Sequence, residues 1–598
     1  MNKKHNDLLS NPPNLNMYWG ALVVEELVRN GVDHFFVSPG SRSTPITWAV
    51  AAHPRANRIV HYDERGAAYC ALGAAKGLGR PTAVVSTSGT AAANFFPAVV
   101  EAAMSQVPLI LLTADRPPEA VESGANQTVD QVHMFGNYTR WFFNLACPDP
   151  QIPGRTALTA IDQAVYRALG SPAGPAHINL MFREPLAPVE TGHSLLEMTV
   201  PLENWQNSGE PYTLYDRPGR QPTSDALARV AGIARNAKRG LLIAAQLASS
   251  AETASVLELA RRLNWPVFPE ITSGLRLGPE EAPFAHYYDQ MLVSESFREF
   301  CRPDAVIQIG SPYVSKRLQR QMQAFSPRHY VVVANHPHRH DPSHIATMRI
   351  ESTVESFCAG LVEELCGEPL EPARGWFDEI LRRNKACREA LGKSIPVPGR
   401  LTEPAAARML PSLMPPESAL ILASSMPIRD VDMYAAPAGK IIFATANRGA
   451  SGVDGIVATA AGYAHGSGKP VVLLIGDQAM LYDMNSLALL RRVKPPVVIV
   501  VVNNFGGGIF SFLPIAGFGE FFEEFWGTPH SYTFERAAEM FDIDYASPST
   551  TGEFADAMKA AIRSGKHALV EVQSNREQNA QTHRDIQEHV RKTLDAIV

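Results

Sequence analysis

The residues best suited to chemistry in this sequence are Asp477 and Asn504, because each lies just beyond a strongly apolar segment. Asp477 comes after the run 471–475, and Asn504 comes after the run 497–502. A glycine triplet that begins at Gly506 follows. Carboxylate, amide and carbonyl oxygens are ligands that Mg²⁺ prefers, and bound Mg²⁺ commonly recruits phosphate oxygens. Since glycines let backbone N–H groups approach a phosphate, this stretch predicts a site for a divalent cation and a phosphate-bearing ligand.

The order of elements around these residues predicts that they meet. Both apolar runs have the length and β-branched content of buried strands. Apolar residues recur at helical spacing between the runs, at Leu481, Met484, Leu487 and Leu490. Ligands in parallel sheets bind at the carboxyl ends of the strands. We therefore expect a strand, a helix and a second strand, with Asp477 and Asn504 close together at one edge of the sheet.

The length of the chain, 598 residues, predicts about three or four domains. The composition is 45% apolar and the net charge is -6, which favours neither nucleic acid nor a membrane surface as a partner. Apolar runs are far shorter than the ~20 residues that span a bilayer. Residues 1–16 lack the apolar core of a signal peptide, so we expect a flexible tail on a cytoplasmic protein. The cysteines form no CxxC pairs, which is typical of reduced thiols.

Short β-rich runs alternate with helical stretches, a pattern that is typical of parallel α/β sheets. In the first part of the chain the predicted strands are 33–38, 59–63, 82–86, 108–113 and 176–181. In the central part they are 240–245, 266–270, 304–309 and 329–334. The last part contains the two runs described above and ends with a strand at 567–573. Pro-rich segments at about 185–222 and 368–404 separate the three parts.

An internal repeat links the first and last parts of the chain. The segment GAAKGLGRP, which begins at Gly73, precedes a predicted strand. The segment GYAHGSGKP, which begins at Gly462, precedes the strand before Asp477 with the same spacing. A helix, a tight turn and a strand therefore align without gaps, which predicts two homologous α/β domains flanking a third.

Glu64, in the segment HYDERG, lies just beyond the second predicted strand and before a helix rich in alanine and glycine. The helix dipole favours an acidic residue in a first helical turn, so a purely structural role is one interpretation. A carboxyl group partly removed from water can also exchange a proton with a bound ligand. The position of Glu64 alone leaves both interpretations open.

The stretch around Asp477 and Asn504 resembles the fingerprint of thiamine-diphosphate enzymes, a glycine–aspartate pair followed by an asparagine pair. This sequence has Gln478 where that fingerprint has a second glycine. The resemblance implies that thiamine diphosphate binds with Mg²⁺ or Mn²⁺, and that Asp477, Asn504 and Gly506 hold the metal. It also implies that Glu64 hydrogen-bonds the aminopyrimidine ring of the cofactor and is the catalytic residue.

Further motifs point to one branch of that superfamily. They are SPGSRSTP, DERG, TSGTAAAN, LTADRPPE, GANQ, NRGASG and NNFGGGIF. Together they closely resemble the 2-succinyl-5-enolpyruvyl-6-hydroxy-3-cyclohexene-1-carboxylate synthases of menaquinone biosynthesis. The likeness extends from about Met17 to the last strand and is weakest in the central part. It implies decarboxylation of 2-oxoglutarate and conjugate addition of the succinyl unit to isochorismate.

The resemblance also implies a set of site residues. Those expected to face isochorismate are Ser41, Arg42, Arg116, Gln127 and Lys316, with Arg317 beside them in the substrate site. Those expected to hold the distal carboxylate of the succinyl group are Ser425, Arg429 and Arg448. The further residues expected to contact the cofactor are Val453, Gly476, Ile509, Phe510 and Leu513. For Leu513, simple core packing is an equally good interpretation.

The arginines agree with this substrate pair, because both substrates are dicarboxylates and guanidinium groups bind carboxylates bidentately. Each arginine alone is typical of a solvated surface charge, but their recurrence in Gly- and Ser-rich loops favours carboxylate binding. One alternative is another thiamine-diphosphate-dependent 2-oxo acid decarboxylase or carboligase, such as an acetolactate synthase, whose small neutral acceptor needs no such cluster. The other alternative is a non-catalytic nucleotide-binding or scaffold protein.

The resemblance implies three parallel-sheet α/β domains after the tail at 1–16. They are a pyrimidine-binding domain at 17–195, a central domain at 223–366 and a diphosphate- and metal-binding domain at 400–598. In this superfamily the cofactor lies between the first domain of one subunit and the last domain of another, which implies a homodimer or homotetramer. The His-rich segment 335–344 suggests a zinc site, but Pro337 and Pro342 disfavour a helix there, so we interpret it as a solvated loop.

Overall fold

Three parallel β-sheets with helices packed against them form the framework of this protein. The structure, a computed structural model, describes residues 3–191, 200–278, 283–310, 312–367, 370 and 375–597. Two compact units comprise, first, Met1–Pro218, Asn447–Gly468 and Tyr482–Pro495 and, second, Gly219–Ala446, Lys469–Leu481 and Pro496–Val598. The first sheet lies in the first unit, and the other two sheets lie in the second unit. The α/β class that the sequence predicts is confirmed.

All strand pairs within the three sheets are parallel. The first sheet, in the order β2-β1-β3-β4-β6-β5, consists of β1 His34–Val37, β2 Asn57–Val60, β3 Thr82–Ser86, β4 Leu109–Asp115, β5 Trp141–Leu145 and β6 Pro175–Met181. The second, in the order β11-β10-β9-β7-β8, consists of β7 Gly240–Ala244, β8 Val267–Pro269, β9 Ala305–Ile309, β10 His329–Ala334 and β11 Met348–Glu351. The third, in the order β13-β12-β14-β15-β17-β16, consists of β12 Ala419–Leu422, β13 Phe443–Ala446, β14 Val471–Gly476, β15 Val497–Asn503, β16 Asp544–Ala546 and β17 Ala568–Gln573.

The helices connect these strands. Before β7 they are α1 Lys3–Ser10, α2 Leu15–Arg29, α3 Thr44–Ala52, α4 Glu64–Leu78, α5 Thr90–Ala93, α6 Phe96–Ser105, α7 Arg155–Leu169, α8 Glu203–Asn207 and α9 Ser224–Asn236. Before β12 they are α10 Ser250–Leu263, α11 Tyr288–Met291, α12 Glu295–Phe300, α13 Lys316–Phe325, α14 Val354–Glu364, α15 Trp376–Ser394 and α16 Glu403–Leu413. After β12 they are α17 Met426–Tyr434, α18 Ile456–Ser467, α19 Asp477–Tyr482, α20 Glu535–Met540, α21 Thr551–Ser564 and α22 Arg576–Asp595.

The central strands are the most apolar parts of the chain. All residues of β4 and β15 are buried, and both strands consist mainly of leucine, isoleucine, valine and alanine. Such strands have both faces covered, which is the usual state of a parallel sheet. Polar side chains begin where these strands end, so the sheet edges at the carboxyl ends are the places where chemistry can be built.

The repeat in the sequence corresponds to a repeat in topology. The first and third sheets have the same strand order when their strands are numbered along each part of the chain. In the repeated segments, Gly79 ends α4 with a φ of 68° and Gly468 ends α18 with a φ of 69°. Both residues are in the left-handed conformation that glycine adopts without strain. The two segments therefore share helix, cap and following strand, as their sequences predict.

Helices α4 and α18 approach each other closely inside the first unit. A Cβ atom at Gly73 would lie 2.1 Å from the carbonyl oxygen of Thr459, and a Cβ atom at Gly462 would lie 1.9 Å from that of Cys70. Gly73 and Gly462 occupy equivalent positions of the repeat, and so do Cys70 and Thr459. The glycines therefore allow two equivalent helices to pack backbone against backbone about a local pseudo-twofold axis.

The prediction of a flexible tail over residues 1–16 is wrong for the part that the structure describes. Residues Lys3–Ser10 form α1, and both Leu8 and Leu9 are buried in the core of the first unit. Asn14 begins α2, because its side-chain oxygen accepts a hydrogen bond from the backbone N–H of Met17 at 3.1 Å. Two adjacent leucines and a capping asparagine thus order a segment whose many charged and polar residues suggest disorder.

The predicted linker at 185–222 lies partly outside the described residues, since 192–199 are not among them. The described part is anchored to α2. Trp205 is 5% exposed, its indole N–H donates to Glu26 at 2.7 Å, and the Arg29 guanidinium lies 4.2 Å above its ring. Of the second Pro-rich segment, 368–369 and 371–374 are likewise not described.

Among the described helices, none combines the length and the apolar character that crossing a bilayer requires.

The helix predicted between β14 and β15 is broken. Helix α19 ends at Tyr482, and a 3-10 helix follows over Met484–Arg492. Between them the side chain of Asp483 is fully buried and accepts hydrogen bonds from the hydroxyl of Ser486 at 2.7 Å and the N–H of Ala458 at 3.0 Å. Burial raises the pKa of Asp483 to about 6. Because the Asp483 carboxyl group is turned into the protein, the helix is interrupted there, although the apolar residues around it keep helical spacing.

Candidate active site

Asp477 and Asn504 lie at neighbouring strand ends, as their positions in the sequence predict. Strands β14 and β15 are paired, with Gly476 opposite Val502. Asp477 is 3% exposed, and its carboxylate accepts hydrogen bonds from the N–H groups of Gln478 at 2.7 Å and Gly506 at 2.9 Å. Burial raises the pKa of Asp477, and these N–H donors act in the opposite direction. The carboxylate is therefore fixed in place directly beside the glycine turn.

The two asparagines that follow β15 have different surroundings. Asn503 is internally satisfied, because its oxygen accepts from the N–H of Phe505 at 3.1 Å and its amide donates to Glu571 and to the carbonyl of Tyr532. Asn504 donates its amide to Glu403 at 3.1 Å, but its side-chain oxygen is buried without a hydrogen-bond partner among the described residues. A buried acceptor without a donor is costly, so this oxygen indicates a ligand.

The glycine turn is shaped by the backbone of residues 526–527. Gly506 has a φ of 154°, and a Cβ atom there would lie 2.3 Å from the carbonyl oxygen of Gly527. The N–H of Gly507 donates to the same carbonyl at 2.7 Å. Phe505, which precedes the turn, has a positive φ of 62°. Only glycine fits positions 506 and 507, because a Cβ atom at either would clash with the backbone of residues 526–527. Among the described residues the carbonyl of Gly506 accepts one hydrogen bond, from Gly508, which leaves its second lone pair for another partner.

These residues fit a hard divalent cation. The Asp477 carboxylate, the side-chain oxygen of Asn504 and the carbonyl of Gly506 are all hard oxygen donors, the set that Mg²⁺ and Mn²⁺ prefer. Gly476 ends β14 beside them, and a Cβ atom there would meet no atom of the described residues within 4 Å, which leaves open space next to the strand end. The arrangement can hold a cation together with phosphate oxygens.

Two residues near this cluster were not predicted. Glu403, at the start of α16, is 2% exposed and holds Asn504, and burial raises its pKa to about 7. The Nε2 atom of His530 lies 3.3 Å from the Asp477 carboxylate. Gln478, where the fingerprint has glycine, hydrogen-bonds the hydroxyl of Thr528. Both Glu403 and His530 are distant from the fingerprint in sequence, and no local pattern marks them.

The residues expected to surround the thiazolium ring lie just beyond the glycine turn. Ile509 and Phe510 are half-buried in a 3-10 helix over Gly508–Phe512, and Ile509 packs against the core that includes α22. Leu513 is 40% exposed, so simple core packing does not describe it. The apolar surface beyond the glycine turn is therefore provided by this short helix and by Leu513.

The substrate residues predicted in the second unit differ in their partners. Ser425 precedes α17 with a φ of 73°, and the Arg429 guanidinium hydrogen-bonds the carbonyl of Ser425. Lys316 is exposed at the start of α13. Arg317 donates to the buried carboxylate of Asp289 at 2.6 Å. The charge of Arg317 is thus compensated within the protein, which leaves Lys316 as the more accessible cation of this pair.

In the first unit, Glu64 is held at the start of a helix. It is the first residue of α4 and is half-buried, and Asp63 caps the helix by accepting from the N–H groups of Arg65 and Gly66. The amide of Asn94 lies 3.5 Å from the Glu64 carboxylate. Asp63 is itself fixed by the amide of Asn485 at 2.6 Å. The direction in which Glu64 leaves the helix is therefore determined by a well-supported cap.

Arg42, which is buried, and Arg116, which is half-buried, together form a cationic pair in the first unit. Arg42 is 6% exposed, donates to the carbonyl of Phe182 at 2.8 Å, and lies 3.3 Å from Glu184. Burial, followed by the nearby charge of Arg116, lowers the pKa of the Arg42 guanidinium. The Nε–H groups of both arginines are buried without a hydrogen-bond partner among the described residues. Two close cations with unused donors indicate a site for an anion such as a carboxylate.

Ser41 and Gln127 are the neutral residues predicted to accompany this pair. Ser41 is exposed. Gln127 has a φ of 58°, and its amide donates to the carbonyl of Ser88 at 2.9 Å, while the Ser88 hydroxyl donates back to the carbonyl of Gln127. These two reciprocal hydrogen bonds fix the loop that contains the GANQ motif, and the Gln127 side chain is bound to the backbone at Ser88.

The NRGASG motif forms a second supported loop of the first unit. The Glu101 carboxylate accepts from the N–H groups of Gly449 at 2.9 Å and Ala450 at 2.7 Å. Arg448, directly before the supported residues, is half-buried, and Val453, just beyond the motif, is 42% exposed. The loop is therefore fixed by its backbone, which leaves the side chains of Arg448 and Val453 to meet other groups.

The His-rich segment contains no helix, as its prolines predict. The rings of His336 and His340 lie 4.5 Å apart, and both His340 and His344 have positive φ values. No group of three or more His, Cys, Asp or Glu side chains among the described residues is arranged to hold a metal ion. The described side chains of this loop thus give no support to a zinc site.

Comparison with known proteins agrees with the geometry described above. Three family models match: the N-terminal TPP binding domain of thiamine pyrophosphate enzymes over residues 17–134, the middle domain over 197–422, and the C-terminal TPP binding domain over 433–572. An X-ray structure of a protein from Mycobacterium smegmatis, assigned as a thiamin diphosphate-dependent enzyme, shares the fold with a TM-score of 0.67 and 18% identity, covering 93% of this chain and 99% of that one.

Curated relatives match nearly the whole chain. The relative from Rubrobacter xylanophilus is 47% identical over 96% of this chain and 98% of its own length. The relative from Salinibacter ruber is 45% identical over 98% of both chains, and that from Chlorobaculum tepidum is 40% identical over 96% and 97%. All three are named 2-succinyl-5-enolpyruvyl-6-hydroxy-3-cyclohexene-1-carboxylate synthase. Identity of this extent shows that the chain belongs to the 2-succinyl-5-enolpyruvyl-6-hydroxy-3-cyclohexene-1-carboxylate synthase family of thiamine pyrophosphate enzymes.

Proposed function

We propose that this chain uses thiamine diphosphate and Mg²⁺ or Mn²⁺ to decarboxylate 2-oxoglutarate and to add the succinyl unit to isochorismate, as a step of menaquinone biosynthesis. The observation that carries the proposal is the 47% identity to a relative with that synthase name over 96% of the chain. The Arg42 and Arg116 pair, whose Nε–H groups are buried without a partner among the described residues, supports a dicarboxylate substrate over a small neutral one.

The proposed cofactor site combines residues that would hold the metal with residues that would contact the organic part of the cofactor. Asp477, Asn504 and the carbonyl of Gly506 would hold the cation, and Gly476 leaves space for the diphosphate. The residues that would contact the organic part of the cofactor are Glu64, Val453, Ile509, Phe510 and Leu513. When bound, thiamine diphosphate supplies the nucleophilic carbon that attacks the 2-oxo group and the electron sink that makes loss of CO₂ possible.

The protein contributes proton control, orientation and exclusion of water. The carboxyl group of Glu64, directed by the cap at Asp63, would exchange a proton with a ring nitrogen of the cofactor. Arg42 and Arg116 would neutralise and orient a carboxylate of isochorismate, and Arg429 would do the same for the distal carboxylate of 2-oxoglutarate. The apolar side chains beyond the glycine turn would keep water from the reacting carbon.

The remaining substrate residues are proposed in supporting roles. Lys316 adds an exposed positive charge near the acceptor, and the Asp289-bound Arg317 holds the start of α13 in place. The other proposed substrate contacts are Ser41, Gln127, Ser425 and Arg448. We place the domain limits at 17–195, 223–366 and 400–598, since the strands of each sheet fall within one of these ranges.

We expect 2-oxoglutarate to be the preferred donor by a wide margin. Pyruvate lacks the distal carboxylate that Arg429 would bind, so its kcat/KM for CO₂ release should be lower by at least about 10²-fold. The measurement is CO₂ release from each 2-oxo acid with thiamine diphosphate and Mg²⁺, with and without isochorismate. Release from 2-oxoglutarate that isochorismate stimulates supports the proposal. Equal or faster use of pyruvate would favour an acetolactate synthase or a related carboligase instead.

We also propose a cytoplasmic homodimer or homotetramer, in which each active site combines Glu64 of one subunit with Asp477 of another. Glu64→Gln and Asp477→Ala should each be inactive alone. When they are co-expressed with different tags and mixed dimers are isolated through both tags, each dimer should contain one intact site and recover about half of the wild-type activity. The absence of any recovery in mixed dimers would show that each site is built within one subunit.

A further inference from the structure

Glu403 is a buried carboxylate that the cofactor motifs do not include. It is the first residue of α16, is 2% exposed, and lies at the third sheet because the residues that bind it follow β15 and β17. Its Oε1 atom accepts hydrogen bonds from the hydroxyl of Ser574 at 2.6 Å and from the Nδ2 amide of Asn504 at 3.1 Å. Ser574 is fixed in turn, because its N–H donates to the carbonyl of Asn503 at 2.8 Å. The carboxylate is thus bound to both strand ends.

The contact with Glu403 determines which end of the Asn504 amide faces outward. An asparagine side chain has one donating end and one accepting end, and the hydrogen-bond network decides their orientation. Because Nδ2 donates to Glu403, the Oδ1 atom must face the opposite side, where it is buried without a donor from the part of the chain that the structure describes. Rotation of the amide by half a turn would present N–H groups to a cation and would abolish binding by this side chain.

We propose that Glu403 is a positioning residue for the divalent cation, which acts by holding the Asn504 amide in the orientation that presents Oδ1 as a ligand. This inference rests on the proposed metal site at Asp477, Asn504 and Gly506. Partners of metal-binding side chains typically contribute 10- to 100-fold to affinity, so the effect should be measurable on the metal alone.

The neighbouring Asn503 provides a matched control within the same protein. Its amide donates to Glu571 at 2.8 Å, and Glu571 is fully buried. Unlike that of Asn504, the oxygen of Asn503 is already bound, by the N–H of Phe505 at 3.1 Å. The chain therefore has two successive asparagines, each held by a buried glutamate, of which only the second has an oxygen left for a cation.

The test compares Glu403→Met with Glu403→Gln in the full-length protein. Methionine has a similar size but no acceptor for the Asn504 amide, whereas glutamine keeps one acceptor oxygen and removes only the charge. Mn²⁺ affinity is measured by titration with electron paramagnetic resonance, after metal removal by a chelator and in the presence of thiamine diphosphate. We expect Glu403→Met to raise the Kd for Mn²⁺ by about 10- to 100-fold and Glu403→Gln to stay within a few-fold of the wild type.

Controls separate this role from general stability and from the proposed metal site itself. Glu571→Gln and Glu571→Met should leave the Kd for Mn²⁺ unchanged even where they lower the melting temperature. Glu403→Met combined with Asn504→Ala should bind Mn²⁺ no more weakly than Asn504→Ala alone, because both act through one ligand. If the wild type binds no Mn²⁺, or if Asn504→Ala binds as the wild type does, the proposed metal site is wrong and the inference falls with it. If Asn504→Ala weakens binding but Glu403→Met does not, or if Glu571→Met weakens it equally, only the role of Glu403 is wrong.

Discussion

Glu64→Gln is expected to lower kcat by about 10²- to 10⁴-fold, the usual contribution of a positioned acid–base group. Glutamine matches the shape of glutamate and can still hydrogen-bond a ring nitrogen, but it cannot exchange a proton with that nitrogen. Asp63 caps α4 through its own side chain and would keep the helix start unchanged. The expected loss is therefore in turnover and not in folding or in cofactor binding. Steady-state kinetics at saturating substrates measures kcat, and calorimetric titration with thiamine diphosphate measures the affinity for the cofactor.

Glu588→Gln is a suitable control for this variant. Glu588 pairs with Arg591 on the exposed side of α22, so its loss should leave both kcat and cofactor affinity as in the wild type. Full activity of Glu64→Gln would show that Glu64 has only the structural role that the helix dipole allows. A loss of cofactor binding that matches the loss of turnover would show that Glu64 holds the cofactor without serving as its proton partner.

Arg42→Ala is expected to lower kcat/KM for isochorismate by about 10²-fold, as removal of one partner of a buried charge contact usually does. Decarboxylation of 2-oxoglutarate in the absence of isochorismate should change little, because the proposed contact is with the acceptor alone. Arg42 is buried beside Arg116, and each has an Nε–H group without a partner among the described residues. These donors are the physical reason to expect an anion between them.

Arg42→Lys separates charge from geometry in this prediction. Lysine keeps the positive charge but cannot bind a carboxylate with two parallel hydrogen bonds. The kcat/KM of Arg42→Lys for isochorismate should therefore lie between those of the wild type and Arg42→Ala. Arg42 also donates to the carbonyl of Phe182, and the melting temperature of each variant therefore needs to be compared with that of the wild type. Equal losses with both substrates would place Arg42 at the 2-oxoglutarate subsite or at the cofactor.

The sequence predicts the buried strands well and the edge strands poorly. β3, β14 and β15 lie within a residue or two of their predicted limits, because continuous β-branched runs bounded by glycine or proline have few other interpretations. Five strands were not predicted: β5, β11, β12, β13 and β16. All five have at most five residues, and all but β12 are edge strands of their sheets. β5, β11 and β16 include exposed residues and therefore give a weak apolar signal, whereas the apolar run of β12 has only four residues. The second strand, predicted at 59–63, is at Asn57–Val60, because three of its four residues are exposed and give no apolar signal.

The part of the candidate site that lies at strand ends and in the turns after them was predictable from the sequence. Asp477, Asn504 and the glycine turn meet as predicted, since neighbouring parallel strands end at the same edge of a sheet. Glu403 was not predictable, because its contact with Asn504 joins residues 101 positions apart. The ion pair between Arg317 and Asp289 was not predicted for the same reason. The sequence does not show which charged side chains are paired in the folded protein.

The most direct test of the proposed function is mass spectrometry of the product formed from uniformly ¹³C-labelled 2-oxoglutarate and unlabelled isochorismate, with thiamine diphosphate and Mg²⁺. We expect a single adduct that keeps four labelled carbons of the donor, loses the fifth as ¹³CO₂, and forms only when both substrates are present. Labelled CO₂ without an adduct would contradict transfer to isochorismate and leave a decarboxylase. An adduct formed equally from labelled pyruvate would contradict the assignment of 2-oxoglutarate as the donor.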